Sequence, residues 1–125
     1  MTTTTGSDTI ERVGVAGSGI MGTGIAELCA KSGLDVVVAV FSDASLDKGP
    51  QRLAASLDRG VARGKLTAEQ RDAALSRVTY TRDLADLADR QLVIEAIKED
   101  EPLKLDLFAT LDKIVEDPHA ILATN

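Results

Sequence analysis

Three glycines stand at a spacing that can hold an anion. In "VGVAGSGIMGTGIAE", Val13 to Glu27, the residues Gly17, Gly19 and Gly22 form G-x-G-x-x-G. The pattern follows a run that reads as a strand and opens a run that reads as a helix. That context suits the pyrophosphate of a dinucleotide. Each glycine has its own task there. Gly17 makes the tight turn, Gly19 lets the backbone approach the pyrophosphate, and Gly22 lets the helix pack against the strand. Free N–H groups and the positive end of the helix dipole face the anion. The competing reading is a tight strand-to-helix turn that binds nothing.

An NAD site also places Asp or Glu at the end of the second strand, about 20 residues on, to bind the ribose hydroxyls. Val40 stands there and cannot do so. Asp43 has two readings: it reaches back to the ribose, or it caps or begins the next helix. No Arg stands next to Val40, and Lys48 and Arg52 lie too far along for a 2′-phosphate site. The sequence therefore does not favour NADP.

Positioning these residues requires alternating strands and helices. "RVGVAG" reads as a short strand, and Ile20 to Ser32 as a helix with Ile20, Met21, Ile25, Leu28 and Cys29 at helical spacing. Gly33 stops it. "DVVVAV" is a continuous apolar run, as in a strand buried on both faces of a parallel sheet. Leu46 to Arg63 reads as a long helix ended by Gly64. Thr67 with Gln70 predicts a capping box opening a helix over Ala68 to Ser76. Val78 to Thr81 is a strand, "LADLAD" a short helix or turn, and "QLVIEAI" another strand. Pro102 begins a helix carrying Leu103, Leu107, Phe108, Leu111 and Ile114. Asp117 and Pro118 break it, and Ala120 to Thr124 is the last strand. The order predicts an α/β fold, a doubly wound parallel sheet of order 3-2-1-4-5 with a helical pair inserted after the second strand.

Three stretches now carry a resemblance: "GVAGSGIMGTGIAELCAKSG", "LVIEAIKEDEPLKLDLFATLD" and "AILATN". Together with the inserted pair around "RGKLTAEQ", they resemble the Rossmann-like N-terminal NAD-binding domain of 3-hydroxyacyl-CoA dehydrogenases, the 3-hydroxybutyryl-CoA group in particular. The likeness runs from about residue 12 to residue 125. It implies an NAD-dependent enzyme interconverting 3-hydroxyacyl-CoA and 3-oxoacyl-CoA, in fatty acid or butanoate metabolism. It also implies that the backbone at Ile20 and Met21 lies under the cofactor, that Ile97, Lys98 and Glu99 line the site, and that Lys104 contributes. Read by themselves, Glu99 and Lys104 are a solvated charge pair at a helix entrance.

Val40 departs from the family, which carries its ribose-binding acid at that place. The family's catalytic serine follows the fifth strand in a "TNTSS"-like stretch, and its His–Glu pair and a further Asn lie beyond. This chain stops at Asn125. His119, its only histidine, falls on a surface turn, and neither Glu95 nor "KEDE" has a partner that makes it a base for a secondary alcohol. No catalytic residue is therefore expected here. The expectation is a frayed tail over residues 1–9 and a dinucleotide-binding domain over residues 10–125, truncated after its fifth strand, with acyl-CoA bound only if the missing domain is supplied. The alternative is a stand-alone, non-catalytic NAD(H)-binding or interaction module. In either case "AILAT" forms an outer strand, an edge open to self-association.

Bulk properties narrow the partners. A length of 125 residues suits one domain with one core. A net charge of −6 argues against nucleic acid or an anionic membrane surface as general partners. Cys29 is the only cysteine, which excludes an internal disulfide and a cysteine-based zinc site. The N-terminus lacks a basic stretch followed by an apolar run, so a cytoplasmic protein is the expectation.

Overall fold

The computed structural model describes residues 9–98 and 100–124; the tail expected over residues 1–9 falls, except for Thr9, outside the described residues. The elements run β1 (Arg12–Ala16), α1 (Ile20–Lys31), β2 (Asp35–Ala39), α2 (Asp43–Ala62), α3 (Ala68–Ser76), β3 (Val78–Thr81), a 3-10 turn (Leu84–Leu87), β4 (Leu92–Glu95), α4 (Glu101–Ile114) and β5 (Ile121–Thr124). The strands form one parallel sheet of order β3-β2-β1-β4-β5. The doubly wound arrangement read from the sequence is the observed one.

Period-2 alternation divides the sheet into two faces. Val13, Val15, Val36, Val38 and Val40 pack against Ala26 and Ala30 of α1, Leu53 and Leu57 of α2, and Ala74 of α3. Ala16, Ala39 and Val93 face the other way, onto Leu87, Leu107 and Leu111. With both faces covered, the strands need few polar side chains, which explains the unbroken run in β2.

Three local readings need correction. The core face of α1 is not Ile20, Met21 and Leu28, which are exposed. It is Gly22, Thr23, Ala26 and Ala30, because a helix lying close on a sheet has room for small residues only. The helix α2 begins at Asp43, three residues before Leu46, because the Ser42 hydroxyl accepts from the Ser45 N–H at 3.0 Å and caps it. Strand β4 ends at Glu95 rather than at Ile97, where the Glu95 carboxylate turns back to accept the Ile97 N–H at 2.7 Å.

Helix α2 crosses the sheet at a close approach. A Cβ on Gly49 would lie 2.6 Å from the Tyr80 ring and 3.4 Å from the Ser18 Cβ. The Tyr80 hydroxyl donates to the Gly49 carbonyl at 3.1 Å. Burial pushes the Tyr80 phenol up to about 12, so it stays protonated as a donor. Pro50, inside α2, has no N–H to give to the preceding turn.

The capping box opens α3 as predicted: Thr67 accepts from the Gln70 N–H and the Gln70 side chain accepts from the Thr67 N–H. Thr67→Ala should cost about 1 kcal/mol, read as a shift in the urea midpoint at unchanged slope. Among the described residues, no helix is long and apolar enough to cross a membrane.

Candidate functional site

The three glycines are distinguished by what surrounds them. Gly17 has φ +119°, and a Cβ there would meet the Ala96 carbonyl oxygen at 2.6 Å, so the turn demands glycine twice over. At Gly22 a Cβ would stand 2.1 Å from the Gly17 carbonyl oxygen, so this glycine makes room for the turn itself rather than for the strand. Around Gly19 a Cβ would meet nothing within 4 Å. The fold does not need glycine there, and space is left for something else.

That space opens onto the start of α1. Ser42, Thr67, Asp83 and Asp100 each place a side-chain acceptor on the first N–H groups of their helices. Gly19 caps α1 with no side-chain hydrogen bond, and the first turn of α1 carries no acid. Its leading amides and the dipole remain available to an anion.

A cleft of about 540 Å³ lies at this point. Gly17, Ser18, Gly19, Val40, Ala96, Ile97 and Lys98 line it, so it sits beyond the carboxyl ends of β1, β2 and β4. Between β1 and β4 the strand order reverses, which is where open α/β sheets bind ligands. Leu103, Asp106, Leu107 and Thr110 of α4 form another wall. An uncapped helix start, room over Gly19 and a cleft at the switch point together fit a dinucleotide.

Of the residues predicted from sequence, Gly17, Gly19, Ile97 and Lys98 meet in this cleft. Gly22 lies beneath the turn. Ile20 and Met21 lie exposed in the first turn of α1, with Ile20 beside a second groove between α1 and α2. Glu99 lies outside the described residues. Asp43 does not line the cleft: it stands in the first turn of α2, 88% exposed, paired with Arg82 at 2.9 Å. Of its two readings, the first-turn acid is the one the geometry supports.

Lys104 is mostly buried and does not line the cleft. Its ammonium lies 3.2 Å from the carboxylate of Glu95, which is fully buried. Glu95 also accepts the Thr124 hydroxyl at 2.6 Å. Burial pushes this carboxyl up, but the hydrogen bonds from Thr124 and Ile97 and the Lys104 charge outweigh it and hold Glu95 below the usual carboxylate range. The sequence shows no partner that makes Glu95 a base for a secondary alcohol. In the structure, its carboxylate ties the ends of β4 and β5 to the first turn of α4.

Arg52 lies too far along the sequence to be expected here, yet it reaches the cleft and donates to the Ser18 carbonyl at 3.0 Å. Thr23 donates to the same oxygen at 3.1 Å. The glycine turn is thus braced from α1 and α2 together. His119 lies exposed on the turn before β5, its N–H bonded to Asp117, as expected. Burial pushes the Cys29 thiol up, which leaves it a poor nucleophile.

The comparisons with known proteins agree with this geometry. Residues 12–125 match the family described as "3-hydroxyacyl-CoA dehydrogenase, NAD binding domain". A 3-hydroxybutyryl-CoA dehydrogenase of Mycobacterium tuberculosis is 52% identical over 119 residues, covering 95% of this chain and 42% of that protein. The crystal structure of M. tuberculosis FadB2 superposes with a TM-score of 0.93 at 52% identity, covering 94% of this chain and 41% of that one. The (S)-3-hydroxybutyryl-CoA dehydrogenase PaaH1 of Ralstonia eutropha gives 0.88 at 40% identity, over 94% and 41%. The chain therefore spans about two fifths of the length of these relatives. On the family match and the cleft together, the chain belongs to the 3-hydroxyacyl-CoA dehydrogenases, as their NAD-binding domain.

Proposed function

We propose that this domain holds NAD(H) for the interconversion of a 3-hydroxyacyl-CoA and a 3-oxoacyl-CoA, the base and the acyl pocket lying outside the described residues. The observation that carries the reading is the uncapped start of α1 opening into the cleft at the switch point. Bound NAD supplies the hydride acceptor. The residues of this chain bind and orient it. The amides after Gly19 take the pyrophosphate, the braced Ser18 turn fixes their direction, and Ile97 and Lys98 close the side towards α4. Among the described residues, the cleft lining holds no His, Cys or Glu; its titratable side chains are Arg52, Lys98 and Asp106.

Calorimetric titration of the 125-residue chain with NADH tests the reading. Saturable binding is expected, without NADH oxidation when acetoacetyl-CoA is added. Absence of binding would remove the cofactor role. Turnover by the pure chain would refute the division of labour. The outer edge of β5, where Ile121 is 53% exposed, supports self-association of this chain. Sedimentation of a monodisperse monomer would rule that out.

A further inference from the structure

We propose that the cleft accepts NADP(H) as well as NAD(H), with Arg52 as the ligand of the 2′-phosphate; this rests on the cleft being the dinucleotide site. An acid at the end of β2 has two effects. It accepts hydrogen bonds from the ribose hydroxyls, and its charge repels a 2′-phosphate. Val40 does neither, so the selective element of an NAD site is missing. An Arg beside that position is what admits the extra phosphate.

The sequence placed Arg52 twelve residues past Val40, but three contacts bring it to the same spot. The Gly17 N–H donates to the Ala39 carbonyl at 2.9 Å, so Ser18 stands beside Val40 where β1 and β2 end. Gly49 lets α2 lie against Ser18 and Tyr80 at van der Waals distance. One turn further on, Arg52 reaches the Ser18 carbonyl, and Val40, Ser45 and Arg52 line one cleft.

The charge on Arg52 is not already neutralised. Among the described residues, no carboxylate stands within ion-pair distance of it, and the hydrogen bond to Ser18 uses one of its five N–H donors. Asp43, the acid nearest Val40 in sequence, is held by Arg82. Asp106, the carboxylate among the lining residues, belongs to α4 rather than to the β2–α2 side. A guanidinium and the Ser45 hydroxyl are chemistry that recognises a phosphate monoester.

Calorimetry with NADH and NADPH, on the 125-residue chain and two variants, decides it. In the wild type the two dissociation constants should lie within about tenfold of each other, because the charge-assisted hydrogen bonds to the phosphate replace those missing at the ribose. Arg52→Gln, at an exposed position, should weaken NADPH at least about tenfold more than NADH. Val40→Asp should tighten NADH and weaken NADPH, and Asp43→Ala should change neither. Since Val40 is buried, a thermal melt accompanies that variant, and Arg52→Gln decides the matter by itself if Val40→Asp does not fold.

Wild-type NADPH binding more than about a hundredfold weaker than NADH would overturn the proposal. Equal losses for both cofactors in Arg52→Gln would also overturn it, showing Arg52 to be a brace of the turn only. If neither cofactor binds, the dinucleotide reading falls and takes this one with it.

Discussion

Gly19→Val should abolish NADH binding and leave the fold standing, whereas Gly22→Val should destabilise the fold as well. The two glycines belong to one motif, but the structure gives them opposite surroundings. A Cβ on Gly19 meets nothing, and its φ of −71° with ψ of −162° is extended backbone open to any residue. Valine there forfeits only the modest advantage of glycine at an N-cap, about 1 kcal/mol. Its branched side chain fills the approach to the leading amides of α1. The expected loss is at least about a hundredfold in affinity, with melting within a few degrees of wild type.

At Gly22 the added Cβ would stand 2.1 Å from the Gly17 oxygen. Relief requires moving α1 or the turn, and the turn is fixed by Arg52, Thr23 and the Ala39 carbonyl. The expected cost is about 3 kcal/mol or more, seen as a lower denaturant midpoint, with binding lost as a consequence. Unchanged NADH affinity in Gly19→Val would remove the glycine turn from the cofactor site. A fully stable Gly22→Val would show that the close approach is not a constraint.

The contrast marks what the sequence could and could not tell. Strand order, the helical pair and the Thr67 capping box were legible because each follows from local pattern: alternation, β-branched runs, turn residues. The glycine motif was legible as a candidate site because its spacing is itself local. Arg52 and Glu95 were not. Arg52 reaches the cleft only because Gly49 admits α2 to close quarters with Ser18 and Tyr80, a contact between segments about 30 residues apart. Glu95 finds Thr124 from β5 and Lys104 from α4, partners set by the folding of the whole second half. The apolar face of α1 failed for a related reason. Ile20, Met21 and Leu28 look like core by hydrophobicity, but the sheet selects by size, and Gly22, Ala26 and Ala30 fit.

Glu95→Ala should destabilise the domain by about 3 kcal/mol, the lower end of what breaking a buried ion pair costs. The lower end applies because 14% of the Lys104 side chain remains in solvent. The variant also strips the acceptors from the Ile97 N–H and the Thr124 hydroxyl. Glu95→Gln keeps the shape and removes the charge, so it isolates the electrostatic part through pH. The native carboxyl sits below its ordinary value of 4.5. Between that depressed value and 4.5, the unfolded chain binds more protons than the native one, so stability falls as pH falls. Above 4.5 the full contribution is present. Urea midpoints measured from pH 6 down to pH 3 should therefore fall more steeply for wild type than for Glu95→Gln, and the gap between the two curves should narrow towards the acid end. Parallel curves would show that Glu95 is not held ionised by its neighbours. The same carboxylate anchors the loop that brings Ile97 and Lys98 into the cleft. NADH affinity in Glu95→Gln should accordingly drop at pH 7, where the domain remains folded. A variant that lost stability but bound NADH as tightly as wild type would confine Glu95 to the core and leave the loop to position itself.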